Sequence, residues 1–296
     1  MSSSREIALL TNPAAGKGGG LRVRDEVLPR FRSAGLTVRS LVGRDADEAL
    51  DLARASVADG VEAVVVVGGD GMVNLGLQVT ASTPTALGII PAGTGNDVAR
   101  TVGLTRKDPM AAADRVVRAL ATGQRRRMDL ARTGGRYYAT VMAAGFDAVV
   151  NERANTMRWP RGQMRYNLAT LAELRTFTPR PYVLDLDGTE VRLDAMLVAI
   201  GNGPSFGGGL RIAEGALLDD GLLDVVVIKP MSRLGLVRTY PRLFRGTHTT
   251  HPQYERHRAR RVTVAAPGIV GYADGERFGP LPLTIECVPD ALGVLA

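Results

Sequence analysis

Residues 63–80 read AVVVVGGDGMVNLGLQVT, and this stretch decides the fold. Residues 63–67 are a continuous apolar run, mostly β-branched, which suits a strand buried on both faces; a strand wetted on one side would alternate. The glycine turn Gly68-Gly69-Asp70-Gly71 follows, and then a helix over 73–80. Strand, glycine turn and helix in that order form the repeating unit of a parallel sheet with helices laid on it.

The same unit recurs on either side. Residues 7–11 and 37–42 read as strands, and 21–34 and 45–58 as amphipathic helices, the latter with acids in its first turn. Residues 86–90 are a further strand, followed by a second glycine turn and another helix. The alternation predicts an N-terminal doubly wound, mostly parallel α/β domain over residues 1–127. Beyond Arg127 the texture changes. Residues 137–143, 182–187, 195–200, 223–228, 261–265 and 283–288 are strand-like and separated by turn signals, with one helical segment at 163–177. Residues 128–288 are therefore expected to form a mainly antiparallel β-sandwich, with 289–296 as a tail returning to the first domain.

A chain of 296 residues with 45% apolar and 23% charged residues is that of an ordinary globular protein. One cysteine, Cys287, excludes an intramolecular disulfide and a Cys-rich metal site. The N-terminus lacks the basic and apolar regions of a signal peptide, and no run approaches the roughly 20 apolar residues of a membrane span. A cytoplasmic location is expected, with any membrane contact peripheral, at the inner face. The net charge is +7, and the cations are nearly all Arg, with only Lys17, Lys107 and Lys229 as Lys. Arg suits planar bidentate contacts to phosphate, so the balance favours an anionic partner: nucleotide, nucleic acid or acidic bilayer.

Three glycine-rich turns follow predicted strands of the first domain: Asn12-Pro13-Ala14-Ala15-Gly16-Lys17-Gly18, Gly68-Gly69-Asp70-Gly71, and Pro91-Ala92-Gly93-Thr94-Gly95-Asn96-Asp97. Loops after parallel strands lie at the sheet's carboxyl edge, where α/β folds bind ligands. Glycine there lets backbone N–H groups approach phosphate oxygens, and the next helix adds its positive end. Any one turn alone is equally a plain strand-to-helix connection. Two familiar nucleotide motifs are absent. Gly16-Lys17 is followed by Gly18, not Ser or Thr, so it is not a P-loop, and Gly93-x-Gly95 has Val98 where a dinucleotide fingerprint needs glycine. In the second domain, Asp219-Asp220-Gly221-Leu222-Leu223-Asp224 is either a divalent-cation site or an Asp-Gly turn before a strand. In Tyr272-Ala273-Asp274-Gly275-Glu276, an extended backbone would put Asp274 and Glu276 on one face as paired acids; the alternative is a hairpin turn.

Together these pieces resemble the diacylglycerol kinase catalytic family, in particular its soluble bacterial lipid kinases, over essentially the whole chain. The motifs that carry the resemblance are NPAAGKG at 12–18, GGDG at 68–71, PAGTGNDVAR at 91–100, DGLLD at 220–224 and DGE at 274–276. GGDG alone would also suit NAD kinases and phosphofructokinases; the later combination favours lipid kinases. The resemblance implies transfer of the ATP γ-phosphoryl group, with Mg2+, to the hydroxyl of diacylglycerol, giving phosphatidate. It implies that ATP contacts Asn12, Pro13, Gly16, Lys17, Gly68, Gly69, Asp70, Gly71, Asn74, Gly93, Thr94, Gly95 and Asn96. Asp70 and Asp97 would belong to the Mg/phosphate network, joined by Asp129 at the domain junction. Asp274 would be the general base with Glu276 supporting it, and Asp220 with backbone oxygens of Leu217 and Leu222 would hold a structural Mg2+. Phosphoryl transfer asks mainly for positioning and charge neutralisation, so such parts suffice.

Rival acceptors are another lipid alcohol (a sphingoid base, ceramide, phosphatidylglycerol) or NAD, and a different class is a catalytically weak nucleotide- or lipid-binding regulator. Three departures bear on this: Met72 and Leu75 stand where the family usually has Thr and often Glu, and Gly43 stands where a Thr often helps bind nucleotide. Two Arg groups remain. One is Arg153, Arg158, Arg161 and Arg165 around Trp159; the other comprises Arg233, Arg238, Arg242, Arg245, Arg256, Arg258, Arg260 and Arg261. Either is a solvated face or a dock for anionic lipid. Nucleic acid is not expected, for want of a recognition motif with aromatic stacking positions. His248, His251 and His257 are not spaced as a metal set, and a homodimer is allowed for without a motif that requires it.

Overall fold

The computed structural model of the chain describes residues 5–93, 95–105, 107–145, 156–157 and 178–296. The segment 163–177, expected to be helical, and the Arg group around Trp159 lie outside them. The chain divides into two compact units, Met1–Leu130 with Val288–Ala296, and Ala131–Cys287.

In the first unit the strands β1 (Glu6–Thr11), β2 (Thr37–Leu41), β3 (Ala63–Gly68) and β4 (Ala86–Pro91) lie in the order β2-β1-β3-β4, all parallel. The final residues of the chain extend this sheet: Val294 and Leu295, at the end of β16 (Leu283–Leu295), pair in parallel with Leu87 and Gly88. β3 is buried at every position, whereas edge strand β2 is half-buried to exposed, so the continuous apolar run belongs to the centre and the polar one to the rim. A single turn α1 (Ala15–Gly18) leads into α2 (Gly20–Ser33); α3 (Ala46–Ala58), α4 (Asp70–Thr80), a short α5 (Asp97–Thr101) and α6 (Pro109–Thr122) follow. Local chemistry sets their ends. Asp45 caps α3 by accepting from Glu48 N (2.9 Å), and Asp108 caps α6 by accepting from Ala111 N (2.8 Å) with Pro109 in the first turn. α2 packs against α6 and α3 against α4, and these helices cover the sheet.

Among the described residues the strands of the second unit pair antiparallel. One sheet has the order β12-β11-β10-β7-β14-β15, formed by β7 (Val141–Gly145), β10 (Leu197–Gly201), β11 (Leu223–Ile228), β12 (Tyr254–Ala259), β14 (Val270–Ala273) and β15 (Glu276–Pro280). The other carries β8 (Arg180–Leu186), β9 (Thr189–Ala195) and β13 (Arg261–Ala265) in the order β13-β8-β9, with the start of β16 on the free edge of β13. A β5–β6 hairpin (Arg126–Thr133, Arg136–Tyr138) pairs Ala131 with Tyr138. Leu184, Val262, Val264 and Ile285 from one sheet share a core with Met142, Val198, Ile200 and Val225 from the other, which makes this a sandwich. The alternate residues of β7, β10 and β11 (Val141, Ala143, Leu197, Ala199, Val226) face a second apolar cluster on the far side. Helix α7 (Arg233–Arg245) packs on that cluster through Leu236, Tyr240 and Leu243. Burial on both sides explains why these antiparallel strands read as unbroken apolar runs. The fold is the expected one: a parallel α/β unit and an antiparallel β-sandwich.

Candidate functional site

The three glycine turns of the first unit meet. Ala92 N and Gly93 N donate to Gly68 O (2.8 and 3.2 Å), joining the turn after β4 to the turn after β3. A Cβ on Gly69 would sit 3.1 Å from Gly93 Cα, and one on Gly93 would run into Gly69 Cα. The turn after β1 closes on the same point, since a Cβ on Gly16, whose φ is +58°, would lie 2.5 Å from Ala92 O. Gly69 and Gly93 are therefore required by each other, and Gly16 by the Ala92 carbonyl, which brings the backbone of the turns close together.

Asp70 orders this assembly. It opens α4, and its carboxylate accepts from Asn96 N (2.8 Å, Oδ2) and Asp97 N (2.7 Å, Oδ1). Asn96 holds a left-handed conformation (φ 55°, ψ 46°) and closes on Gly93, accepting from its N–H (3.2 Å) and donating to its carbonyl (2.8 Å). Asn tolerates that region better than most side chains. Gly95 has no room for a Cβ because the Asp70 carboxylate lies there. Arg100, a residue the sequence reading did not single out, donates to Asp97 Oδ1 and to Gly95 O, both at 2.6 Å. Asn12 Oδ1 accepts from Ala14 N (2.9 Å), which sets the bend of the first turn.

Two buried polar atoms here have no hydrogen-bond partner among the described residues: Asn74 Nδ2, in the first turns of α4, and Thr11 Oγ1, at the end of β1. Buried donors are nearly always satisfied, so such orphans beside a glycine cradle fit a polar ligand. Asn74 was anticipated and Thr11 was not. Gly71, the second residue of α4, is exposed. Thr94 and the side chain of Lys17 lie outside the description. One departure has a packing reason: a Cβ on Gly43 would lie 2.5 Å from Ala49 N. The backbone therefore has no room for the usual Thr at 43. Asp129 is buried and accepts from Asp290 N (2.8 Å), within the first unit.

In the second unit, Asp274-Gly275 is a two-residue hairpin turn between β14 and β15, with φ of +51° and +85° and Ala273 paired with Glu276. Of the two readings of 272–276 the hairpin turn holds, and Asp274 and Glu276 are not an extended pair on one face, because positive φ at both turn residues breaks the alternation. Asp274 points inward at 8% exposure, whereas Glu276 is exposed. The Asp274 carboxylate accepts from Ala139 N (2.8 Å), Thr140 N (3.0 Å) and the Thr140 hydroxyl. Asn202 braces the same segment, donating from Nδ2 to Ala139 O (3.1 Å) and from its backbone to Thr140 O (2.8 Å). The sequence signal for it was the Gly201-Asn202-Gly203-Pro204 turn after a buried strand. Burial, with the charge of Asp274 adding to it, pushes the Tyr138 phenol well above its ordinary range, and its hydroxyl donates to Ile200 O (3.0 Å).

At the second acidic cluster, Asp220 accepts from Leu222 N (3.1 Å) and pairs with the Arg258 guanidinium. Asp224, 1% exposed, accepts from Arg256 Nε (2.6 Å); burial pushes its carboxyl up and Arg256 partly offsets this. Leu217 is exposed, and among the described residues no three His, Cys, Asp or Glu side chains converge as for a metal. Both Asp220 oxygens are engaged in these contacts, Oδ1 by Leu222 N and Oδ2 by the Arg258 guanidinium.

Residues 6–133 match the diacylglycerol kinase catalytic domain, and residues 140–296 the YegS C-terminal NAD kinase beta sandwich-like domain. A diacylglycerol kinase of Mycobacterium tuberculosis is 46% identical over 296 residues, covering 98% of this chain and 94% of its own. One from Bacillus subtilis is 27% identical, covering 94% and 92%. The crystal structure of a diacylglycerol kinase from Bacillus anthracis superposes with a TM-score of 0.76 at 20% identity, covering 100% of this chain and 98% of its own. An NAD kinase from Archaeoglobus fulgidus in complex with ATP gives 0.53 at 14%, covering 98% and 92%. At those identities the two structures speak for the fold. With the turns, their order along the chain and the 46% identical relative in agreement, the chain belongs to the diacylglycerol kinase catalytic family and is an enzyme of the lipid kinase, phosphotransferase class.

Proposed function

We propose that this enzyme transfers the γ-phosphoryl group of ATP to the free hydroxyl of diacylglycerol, giving phosphatidate. The observation that carries the reading is the three-turn cradle ordered by Asp70, with the unpartnered buried amide nitrogen of Asn74 beside it, in a chain 46% identical to a diacylglycerol kinase. In this reading the triphosphate lies on the backbone of the turns at 12–16, 68–71 and 93–97, where N–H groups and the start of α4 favour anions. Bound Mg2+ supplies charge neutralisation at the transferring phosphate. Asp70 and Asp97 are the acids that would hold it, acting through phosphates and water as suits an ion that keeps several waters.

The chemistry is an in-line displacement. The lipid hydroxyl oxygen bonds to the γ-phosphorus, the bond from that phosphorus to the β–γ bridging oxygen breaks, and ADP leaves with the electron pair. The hydroxyl proton passes to Asp274; Glu276, exposed beyond the turn, is not placed to support it. The double backbone clasp on the Asp274 carboxylate fixes its orientation, which is what positioning a base requires.

The test is transfer of label from ATP, with Mg2+, to a panel in mixed micelles: diacylglycerol, monoacylglycerol, ceramide, sphingosine and phosphatidylglycerol, with NAD as a soluble control. Label on diacylglycerol that is lost in Asp274→Asn, with ATP binding retained, is the expected result. Label confined to another acceptor would change the substrate. Unchanged turnover in Asp274→Asn would remove Asp274 as the base.

A further inference from the structure

Helix α7 has two faces, and among the described residues only one of them has a packing partner. Leu236, Tyr240 and Leu243 pack on the apolar cluster beneath, and Thr239 is buried with them. The opposite face carries Leu234, Val237, Arg238, Pro241, Phe244 and Arg245, all exposed. At about 100° per residue these six positions fall within an arc of roughly 120°. Leu234, Val237 and Phe244 are 58%, 50% and 48% exposed, which makes them three of the six exposed large hydrophobics among the described residues. Val237 and Phe244 lie toward one flank of the arc, with Arg238 and Arg245 on the other.

The face is built to stay in place. Ser232 caps the helix by accepting from Gly235 N (3.1 Å), and Gly246 ends it in a left-handed conformation. Arg242 reaches past the last turn to Thr247 O and Thr250 Oγ1. The Phe244 ring stands edge-on to Tyr240 with centroids 5.8 Å apart, so the exposed aromatic is held and not free to fold away. Arg238 and Arg245 make no ion pair with a described residue, and α7 contains no acid.

We propose that this outer face of α7 docks the enzyme on the surface of an anionic bilayer, with Leu234, Val237 and Phe244 entering the headgroup region and Arg238 and Arg245 on the lipid phosphates. A helix with an apolar stripe, adjoining arginines and no acid is the kind that lies in the membrane interface. Long Arg side chains can keep their charge at headgroup level while their stems lie along apolar surface. At 13 residues the helix is too short to span, and no described helix is long and apolar enough to cross a membrane. A second copy of the chain is the poorer occupant, since a two-fold contact through this face would gather Arg238 and Arg245 of both copies in one interface with no acid on α7 to pair them. The proposal deepens the lipid-kinase reading and rests on it for its purpose, because a water-soluble enzyme must find its acceptor at a membrane.

The test uses the full chain in flotation with vesicles of phosphatidylglycerol or of phosphatidylcholine, at low and high salt. The parent is expected to float with phosphatidylglycerol alone and to be released by salt. Leu234→Ser/Val237→Ser/Phe244→Ser is expected to weaken binding at least tenfold. Arg238→Glu/Arg245→Glu is expected to weaken it about thirtyfold or more, from the attraction typical of each basic residue near an anionic surface. Both variants should keep the parent's melting temperature and its activity on a dispersed short-chain diacylglycerol. Binding unchanged in both variants, equal binding to the two lipids, or a dimer dissolved by the serine variant would overturn the proposal. Vesicle binding that follows these expectations in an enzyme inactive on every short-chain acceptor would instead count against the kinase reading and leave the docking face standing.

Discussion

Asp70→Asn keeps the shape of the side chain and removes its charge and one acceptor. Both carboxylate oxygens are in use, at 2.8 Å from Asn96 N and 2.7 Å from Asp97 N. The new amide nitrogen must then face one of those N–H groups, donor against donor. A hydrogen bond to a charged group contributes about 1.5–3 kcal/mol and a stranded buried donor costs about 1–3 kcal/mol. With Asp70 half-buried the lower parts of both ranges apply, so ordering the turn at 93–97 loses about 2–4 kcal/mol. If that order must be restored when nucleotide binds, the dissociation constant rises about 30- to 1000-fold. The assay is titration of a fluorescent ATP analogue into parent and Asp70→Asn, once with Mg2+ and once with EDTA. A defect in the loop gives the same ratio of dissociation constants in both. A loss seen only with Mg2+ would refute the argument and make Asp70 a metal ligand first. A ratio under about threefold in both would show that the turn orders without the carboxylate.

Three further outcomes are expected. Gly93→Ala drives a Cβ into Gly69 Cα and should destabilise by about 1–3 kcal/mol, as overpacking does, seen as a lower melting temperature together with weaker nucleotide binding; an unchanged melt would mean the turns separate freely. His248 is 1% exposed, Nε2 lies 3.0 Å from Ile212 O, and burial holds its pKa below 6.5. Below pH 6.5 the unfolded chain therefore takes up a proton that the fold resists, and stability should fall with pH by up to about 1.4 kcal/mol per unit until the lowered folded pKa is passed. Denaturant titrations of parent and His248→Gln between pH 5 and 8 read this, and equal slopes would exclude His248 as the source. EDTA should leave the melting temperature of the parent unchanged, because Arg258 neutralises Asp220. Arg258→Ala should lower it and make it respond to added MgCl2; a drop in the parent on chelation would restore a structural cation.

β1, β3 and β4 of the first unit were legible because burial on both faces leaves a mark that needs no partner to read, as in the five apolar residues at 63–67, then glycine. Helix α3 announced itself through Asp45 and the acids of its first turn. The short polar strands of the second unit were not legible. β9 and β12 (TEVRLDA and YERHRA) owe their place to neighbours β8 and β11, which lie near and far along the chain, and nothing in their own composition marks them. Helix α7 was visible only as a group of arginines, because Pro241 and Gly235 break the usual helical signature.

The candidate site divides in the same way. Residue types, order and spacing along the chain determined the class of chemistry: three glycine turns after strands, acids at 70 and 97, and Asp-Gly at 274–275. What each residue touches was decided only by the folded chain. Glycines read as room for phosphate are held by other glycines, Asp70 is taken up by the amides of 96 and 97, Asp274 turns inward onto Ala139 and Thr140, and Asp220 meets an arginine 38 residues away. The physical reason is range. Local propensity and burial pattern act within a few residues and survive in the sequence, whereas a hydrogen bond or a steric contact between distant turns exists only once the sheet has brought those turns to one edge.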